Sequence, residues 1–247
     1  MHFFLFLAGL VTGLIDSIAG GGGLISLPSL GLALGLGPHA IGTNKIVGTV
    51  AALVAWIVYA RRGHFQFGRS LLFSVAIGTG AWFGSRCSPL VPQSWFKIFL
   101  MVSCPLLLWV VWRKDLWVEK VEVTKRAAWV APLFVVLSGL VVGFYDGIWG
   151  PGGGTFMFLS LLFFVKMPLL PALAASKFAN TVSAATSLAS YWQQGYVHPT
   201  EGLIMAASVT IGAYVGATLA SQRASRLVRP VLALVAVLLA IKLAFTP

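Results

Sequence analysis

Gly9-Leu10-Val11-Thr12-Gly13-Leu14-Ile15-Asp16 runs into Gly20-Gly21-Gly22-Gly23, and the same pattern returns 130 residues later. There Gly139-Leu140-Val141-Val142-Gly143-Phe144-Tyr145-Asp146 runs into Gly150-Pro151-Gly152-Gly153-Gly154. Each stretch carries one carboxylate in an apolar, helix-like run and then breaks the run with glycines. A duplicated, glycine-broken hydrophobic segment is the arrangement a two-repeat carrier needs near the middle of a bilayer.

The likeness extends past the glycines at an offset that settles at 132. Asn44-Lys45 corresponds to Ser176-Lys177, Thr49 to Thr181, Tyr59 to Tyr191 and Gly63 to Gly195. Gly80-Ala81-Trp82-Phe83-Gly84 corresponds to Gly212-Ala213-Tyr214-Val215-Gly216. Nearly the whole chain is therefore two copies of about 115 residues.

Composition places these copies in lipid. The 247 residues are 58% hydrophobic and 9% charged, with a mean hydropathy of +0.92, whereas soluble domains carry about 25% charged residues. A net charge of +11 would point to nucleic acid in a soluble chain; here it records basic residues gathered in cytoplasmic loops, and no nucleic-acid partner is expected. Cys87 and Cys104 have no metal-like spacing and read as small packing residues. Residues 1–20 have no basic start, contain Asp16 and have an internal twin, so they read as mature protein rather than as a secretion signal.

Apolar runs at about 40–60, 70–86, 94–112, 172–192, 203–221 and 227–246 are each near the roughly 20 residues a spanning helix needs. The leading pairs, 2–19 with 23–36 and 129–149 with 154–166, read as helical hairpins. Their second members are about 14 residues, or about 21 Å as helix, so each hairpin is either re-entrant or made of short, tilted helices. The expected fold is an all-α polytopic membrane protein of two inverted repeats, each a glycine-broken hairpin plus three transmembrane helices. The first repeat is 1–112, the basic cytoplasmic linker 113–127 and the second repeat 128–247.

Inversion follows from loop charge. If each hairpin makes one round trip, twelve basic residues fall inside: Arg61, Arg62, Arg69, five in the linker, Lys166, Arg223, Arg226 and Arg229. Arg86 and Lys97 fall outside, with Lys242 near an outer C-terminus; a single crossing per hairpin would put the triple-arginine loop outside, against the positive-inside rule. Both termini are thus expected on the outer side.

Lys45 and Lys177 carry the sharpest chemistry. They hold equivalent places just inside long apolar helices, and intramembrane ionisable residues mark substrate pathways. They form a cationic site for an anion, or they snorkel to opposite surfaces. Asn44, Ser176, Asn180, Thr49 and Thr181 add donors around them at helical spacing. Gly21, Gly22 and Gly23, with Gly152, Gly153 and Gly154, bring backbone amides and a helix N-terminus close to a ligand, or else form a sharp turn with tight packing. Gly9/Gly13 and Gly139/Gly143 have small-xxx-small spacing; such faces permit a homodimer or serve internal packing. Asp16 and Asp146 carry a coupling proton, neutralise the lysines in the empty state, or cap the turn through its own amides.

No Gly-Lys-Ser/Thr follows the glycines, and no HExxH, Cys/His cluster or paired-carboxylate motif occurs. Nucleotide hydrolysis, metal chemistry and enzymatic catalysis have no support, and no cofactor is expected. Trp95, Trp109, Trp112, Trp117, Trp129 and Trp192 read as interfacial anchors; Trp149, between Asp146 and the second glycine cluster, packs there or lines the pathway.

At these residues the chain resembles the TauE/SafE family of membrane anion exporters. The resemblance rests on Gly13-Leu14-Ile15-Asp16-Ser17-Ile18-Ala19-Gly20-Gly21-Gly22-Gly23, on Pro28, and on Gly37-Pro38-His39-Ala40-Ile41-Gly42-Thr43-Asn44-Lys45. Gly150-Pro151-Gly152-Gly153-Gly154, Ala175-Ser176-Lys177 and Asn180-Thr181 fit as well. It covers essentially the whole chain and implies export of small sulfur-containing anions, such as sulfite, sulfoacetate or other organosulfonates, across a bacterial inner membrane. Two other readings stand beside it: a proton- or sodium-coupled carrier of another small solute built on the aspartates, and a membrane assembly or sensory subunit without flux.

Overall fold

Apolar runs in lipid become helices because no water is present to satisfy free backbone groups. A computed structural model describes residues 1–92 and 130–245, and it contains helices and no strands among them. The helices are α1 (His2–Ala19), α2 (Gly23–Leu34), α3 (Pro38–Arg61) and α4 (Phe67–Cys87), then a short 3-10 turn at Ser88–Leu90. They continue as α5 (Val130–Ile148), α6 (Gly153–Phe163), α7 (Leu169–Gln193) and α8 (Pro199–Phe245). The expected span at 94–112, the linker and the tryptophans from 95 to 129 lie outside the described residues.

The 203–221 and 227–246 runs are two helices within α8, joined at a kink where the backbone leaves the helical region at Arg223 (φ −138°, ψ 38°). By length and composition, His2–Ala19, Pro38–Arg61 and Pro199–Ala224 can each cross a membrane. The short members α2 and α6 have 12 and 11 residues, so neither reaches across the roughly 30 Å hydrocarbon core.

The two halves interlock. α1 packs along the first part of α8, and α5 packs along α4, so each half's leading helix lies against the other half's last described long helix. Between them, α3 lies against α7 and runs the other way. The start of α3 meets the end of α7, where the His198 amide donates to Thr43 Oγ1 at 2.9 Å and His198 Nε2 lies 3.0 Å from His39 Nδ1. At the opposite end, Trp56 of α3 stacks with Phe178 near the start of α7, at 5.0 Å between ring centroids.

Glycines set the closeness of the outer seams. A Cβ on Gly212 would sit 2.1 Å from the Leu10 carbonyl oxygen, and one on Gly13 would sit 2.3 Å from that of Val209. The α4–α5 seam repeats this, with Gly80 against Leu140 O at 2.3 Å and Gly143 against Ile77 O at 2.2 Å. Helices in lipid gain little from burying apolar surface, so backbone approach and dispersion hold them together. The small-xxx-small faces of α1 and α5 are used inside the chain in this way. Outside, Phe3, Leu7, Val11, Leu71, Val75, Phe134, Val141, Leu203 and Ile211 are exposed. An apolar belt of that extent is out of place in water and suits acyl chains.

In Gly84→Leu the new side chain would begin 2.1 Å from Phe144 O and force α4 from α5. The expected cost is at least the roughly 1–3 kcal/mol of overpacking, read as a lowered melting temperature in detergent. Gly68→Ala, with nothing within 4 Å of its Cβ, should melt like the wild type or slightly higher.

Candidate functional site

Breaking a helix inside a membrane leaves its last carbonyls without intrahelical partners. α1 and α5 end at equivalent glycines, Gly20 (φ +81°) and Gly150 (φ +89°), whose left-handed backbone suits a residue without a Cβ. The carbonyls just before them are capped by side chains from elsewhere. Tyr59 donates to Ser17 O at 2.8 Å, and Thr155 donates to Ala19 O at 3.1 Å. On the other side Tyr191 donates to Gly147 O at 2.9 Å, and Ser88 donates to Ile148 O at 2.8 Å.

The lysines complete the caps, and they do so crosswise. Lys45 donates to the backbone carbonyl of Asp146 and, at 3.1 Å, to its Oδ2. Lys177 donates to the backbone carbonyl of Asp16 and, at 3.0 Å, to its Oδ2. Each ammonium thus sits at the negative end of a helix from the other half. Neither lysine snorkels: Lys45 is 4% exposed and Lys177 0%. Asp16 also accepts from the Gly22 amide at 3.3 Å, and Asp146 from the Ser183 hydroxyl at 2.6 Å. Each aspartate is thus ion-paired with a lysine of the other half, and Asp16 also accepts from an amide of its own loop.

The two breaks touch. Gly20 packs against the Thr155 amide and Gly154, and Gly23 against Pro151. Between them and the middles of α3 and α7 lies a polar cavity of about 40 Å³, room for a few waters. Asn44, Lys45, Asn180, Gly21, Gly23, Gly152, Gly154 and both aspartates line it. Two of its polar atoms, Thr12 Oγ1 and Asn44 Oδ1, are buried with no hydrogen-bond partner among the described residues. Both glycine clusters open short helices, so the positive N-terminal ends of α2 and α6 are at the cavity.

Other expected site residues are turned to other tasks. Gly22 and Gly153 make room for the carboxylates: a Cβ there would sit 2.6 Å from Asp16 Cβ and 2.0 Å from Asp146 Oδ1. The Thr49 and Thr181 hydroxyls donate to the carbonyls of Lys45 (2.6 Å) and Lys177 (2.8 Å), and Ser176 donates to Leu173 O. Lys177 is not on the cavity wall, whereas Lys45 is. Trp149 rests against Tyr145, with 5.9 Å between ring centroids.

Sequence reasoning missed Thr12, Ser26, Gly48 and Ser183. Gly48 and Ser183 lie three and six residues beyond the lysines, and a helical-face count from Lys45 and Lys177 finds Gly48, Asn180 and Ala184. Ser183 is off that face, and its hydroxyl meets Asp146 of α5. Thr12 lies one turn before Asp16 on the same face of α1.

Removing one member of a buried pair leaves an uncompensated charge, at a cost of about 3–5 kcal/mol. Lys177→Met should therefore lower the melting temperature sharply. The double variant Lys177→Met/Asp16→Asn should recover part of that loss, and a double-mutant cycle by thermal melting measures the coupling.

The chain matches the family model described as sulfite exporter TauE/SafE over residues 5–243. It is 33% identical over 245 residues to a Sinorhizobium protein named "Probable membrane transporter protein ORF9", covering 99% of this chain and 92% of that one. It is 30% identical over 244 residues to YfcA of Escherichia coli K12, covering 98% and 88%. A Haemophilus influenzae relative is 31% identical over 243 residues, covering 98% and 93%; both are named probable membrane transporter proteins. No solved structure matches significantly. With the match running nearly from end to end, the chain belongs to the TauE/SafE family of membrane transporters.

Proposed function

We propose that the chain exports a small sulfur-containing anion (sulfite, sulfoacetate or another organosulfonate) across a bacterial inner membrane by alternating access. The observation that carries this reading is Lys45: a buried ammonium on the wall of a polar cavity into which two helix N-termini open. The anion displaces Asp146 from Lys45, while amides at Gly21, Gly23, Gly152 and Gly154, the Thr12 hydroxyl and the Asn44 side-chain NH2 replace its water. The family description, a sulfite exporter, supports the substrate class.

Two inverted copies supply the scaffold, with both termini outside. Antiparallel packing of the equivalent helices α3 and α7 supports the inversion, as does the reciprocal seating of α1 and α5 against α8 and α4. The hairpins and the α3–α7 pair then rock about the fixed site. An inside-negative potential favours outward anion flux by about 2.3 kcal/mol per charge per 100 mV.

A second reading, a proton-coupled carrier, is favoured by the crossed pairs. Two lysines and two aspartates leave the site formally neutral, so an anion taken up by Lys45 leaves Asp146 without its cation. A proton on Asp146 would compensate it.

Proteoliposomes loaded with sulfite, sulfoacetate or chloride test both. Export predicts sulfur-anion flux that follows an imposed potential and falls on the order of a hundredfold or more in Lys45→Gln. Unchanged flux in Lys45→Gln would remove the shared site. Flux that ignores the potential, follows a proton gradient and loses that dependence in Asp146→Asn would establish the coupled carrier instead.

A further inference from the structure

Away from the central cavity, a second hollow of about 260 Å³ opens between the C-terminal end of α3 and α8. Its floor is Val54, Ile57 and Val58, and its mouth carries Arg61 and Arg62. Tyr214 and Thr218 form the α8 wall, with Ser221 continuing the same face at i, i+4 and i+7. We propose that this groove binds one anionic phospholipid, its phosphate held by Arg61 and Arg62 and an acyl chain laid over Val54, Ile57 and Val58.

Three observations select that occupant. First, the cationic charge at the mouth is not balanced by carboxylates among the described residues. Asp16 and Asp146 are engaged by lysines, and Glu201 lies in the first turn of α8, 17 positions before Thr218 and so about 25 Å away along the helix. Second, Arg62 is already positioned. Its Nη1 donates to Ser221 Oγ at 2.6 Å and to Thr218 O at 3.4 Å, which leaves the rest of a planar fork suited to phosphate oxygens. Third, Thr218, which lines the groove, has a buried hydroxyl with no hydrogen-bond partner among the described residues.

The apolar floor decides between a lipid and a free anion. A hydrated phosphate gains nothing from three aliphatic side chains, whereas an acyl chain covers them. The exposed ring of Tyr214 adds an amphipathic side wall of the kind found at headgroup depth. Basic clefts between transmembrane helices at a membrane surface are suited to anionic headgroups for the same reasons.

Native mass spectrometry of the full chain, released from bilayers of mixed phosphatidylglycerol and phosphatidylethanolamine, tests the assignment. The expected result is one retained phosphatidylglycerol per chain, with retention falling on the order of tenfold in Arg61→Gln/Arg62→Gln. Both arginines are exposed, so unchanged thermal melting checks that this variant is folded. Ile57→Trp, which fills the floor and keeps both arginines, should lose the lipid as well. Equal retention of the two lipids, full retention in either variant, or displacement by millimolar inorganic phosphate would each overturn the proposal.

Discussion

A helix that stops inside a membrane must have its last carbonyls satisfied by protein, and the rest of this molecule is organised around that constraint. α1 and α5 both stop at glycines, and each end is capped by an ammonium from the opposite half: Lys177 at Asp16 and Lys45 at Asp146. The exchange is reciprocal, so neither half can complete its own helix end. Tyr59 and Tyr191 take the next carbonyls from within their own halves. The central site is thus at once a junction between the halves and the place where the buried charge of the described residues gathers.

That double use bears on the chemistry. A lysine that caps a helix and pairs with a carboxylate cannot be taken over by an anion without cost, because the aspartate left behind is buried. In the proposed export mechanism, binding and rearrangement of the junction are therefore linked through the same atoms. A site that loosens the contact between two halves when it accepts substrate has the coupling that alternating access requires, since a ligand shifts a conformational equilibrium only through differential contacts in the two states.

The halves share a scaffold but not their walls. Gly48 of α3 corresponds to Asn180 of α7, and Ala51 to Ser183. Thr12 corresponds to Val142. Asp146 in consequence receives the Ser183 hydroxyl, while Asp16 receives a backbone amide. Lys45 reaches the cavity and Lys177 does not. Duplicated architecture supplies the cage, and these unequal side chains give its two faces different chemistry.

Much of this was legible from the chain. Apolar runs dictate helices wherever water is absent, and the repeated Asp–glycine motifs marked the breaks, because glycine has no Cβ to obstruct a left-handed turn or a close approach. The lysines stood out because charge is scarce in such a sequence. Which partner each would take was not legible, since pairing across 101 and 161 residues depends on how α3 and α7 lie against the broken ends. Nor could spacing tell that Thr49 and Thr181 spend their hydroxyls on their own helices, or that Gly22 and Gly153 make way for carboxylates. Composition and motif were enough to mark the described helices, their glycine breaks and the family. Tertiary structure decided the crossed pairing and which lysine meets the cavity, because those depend on distances between helices that no local pattern encodes.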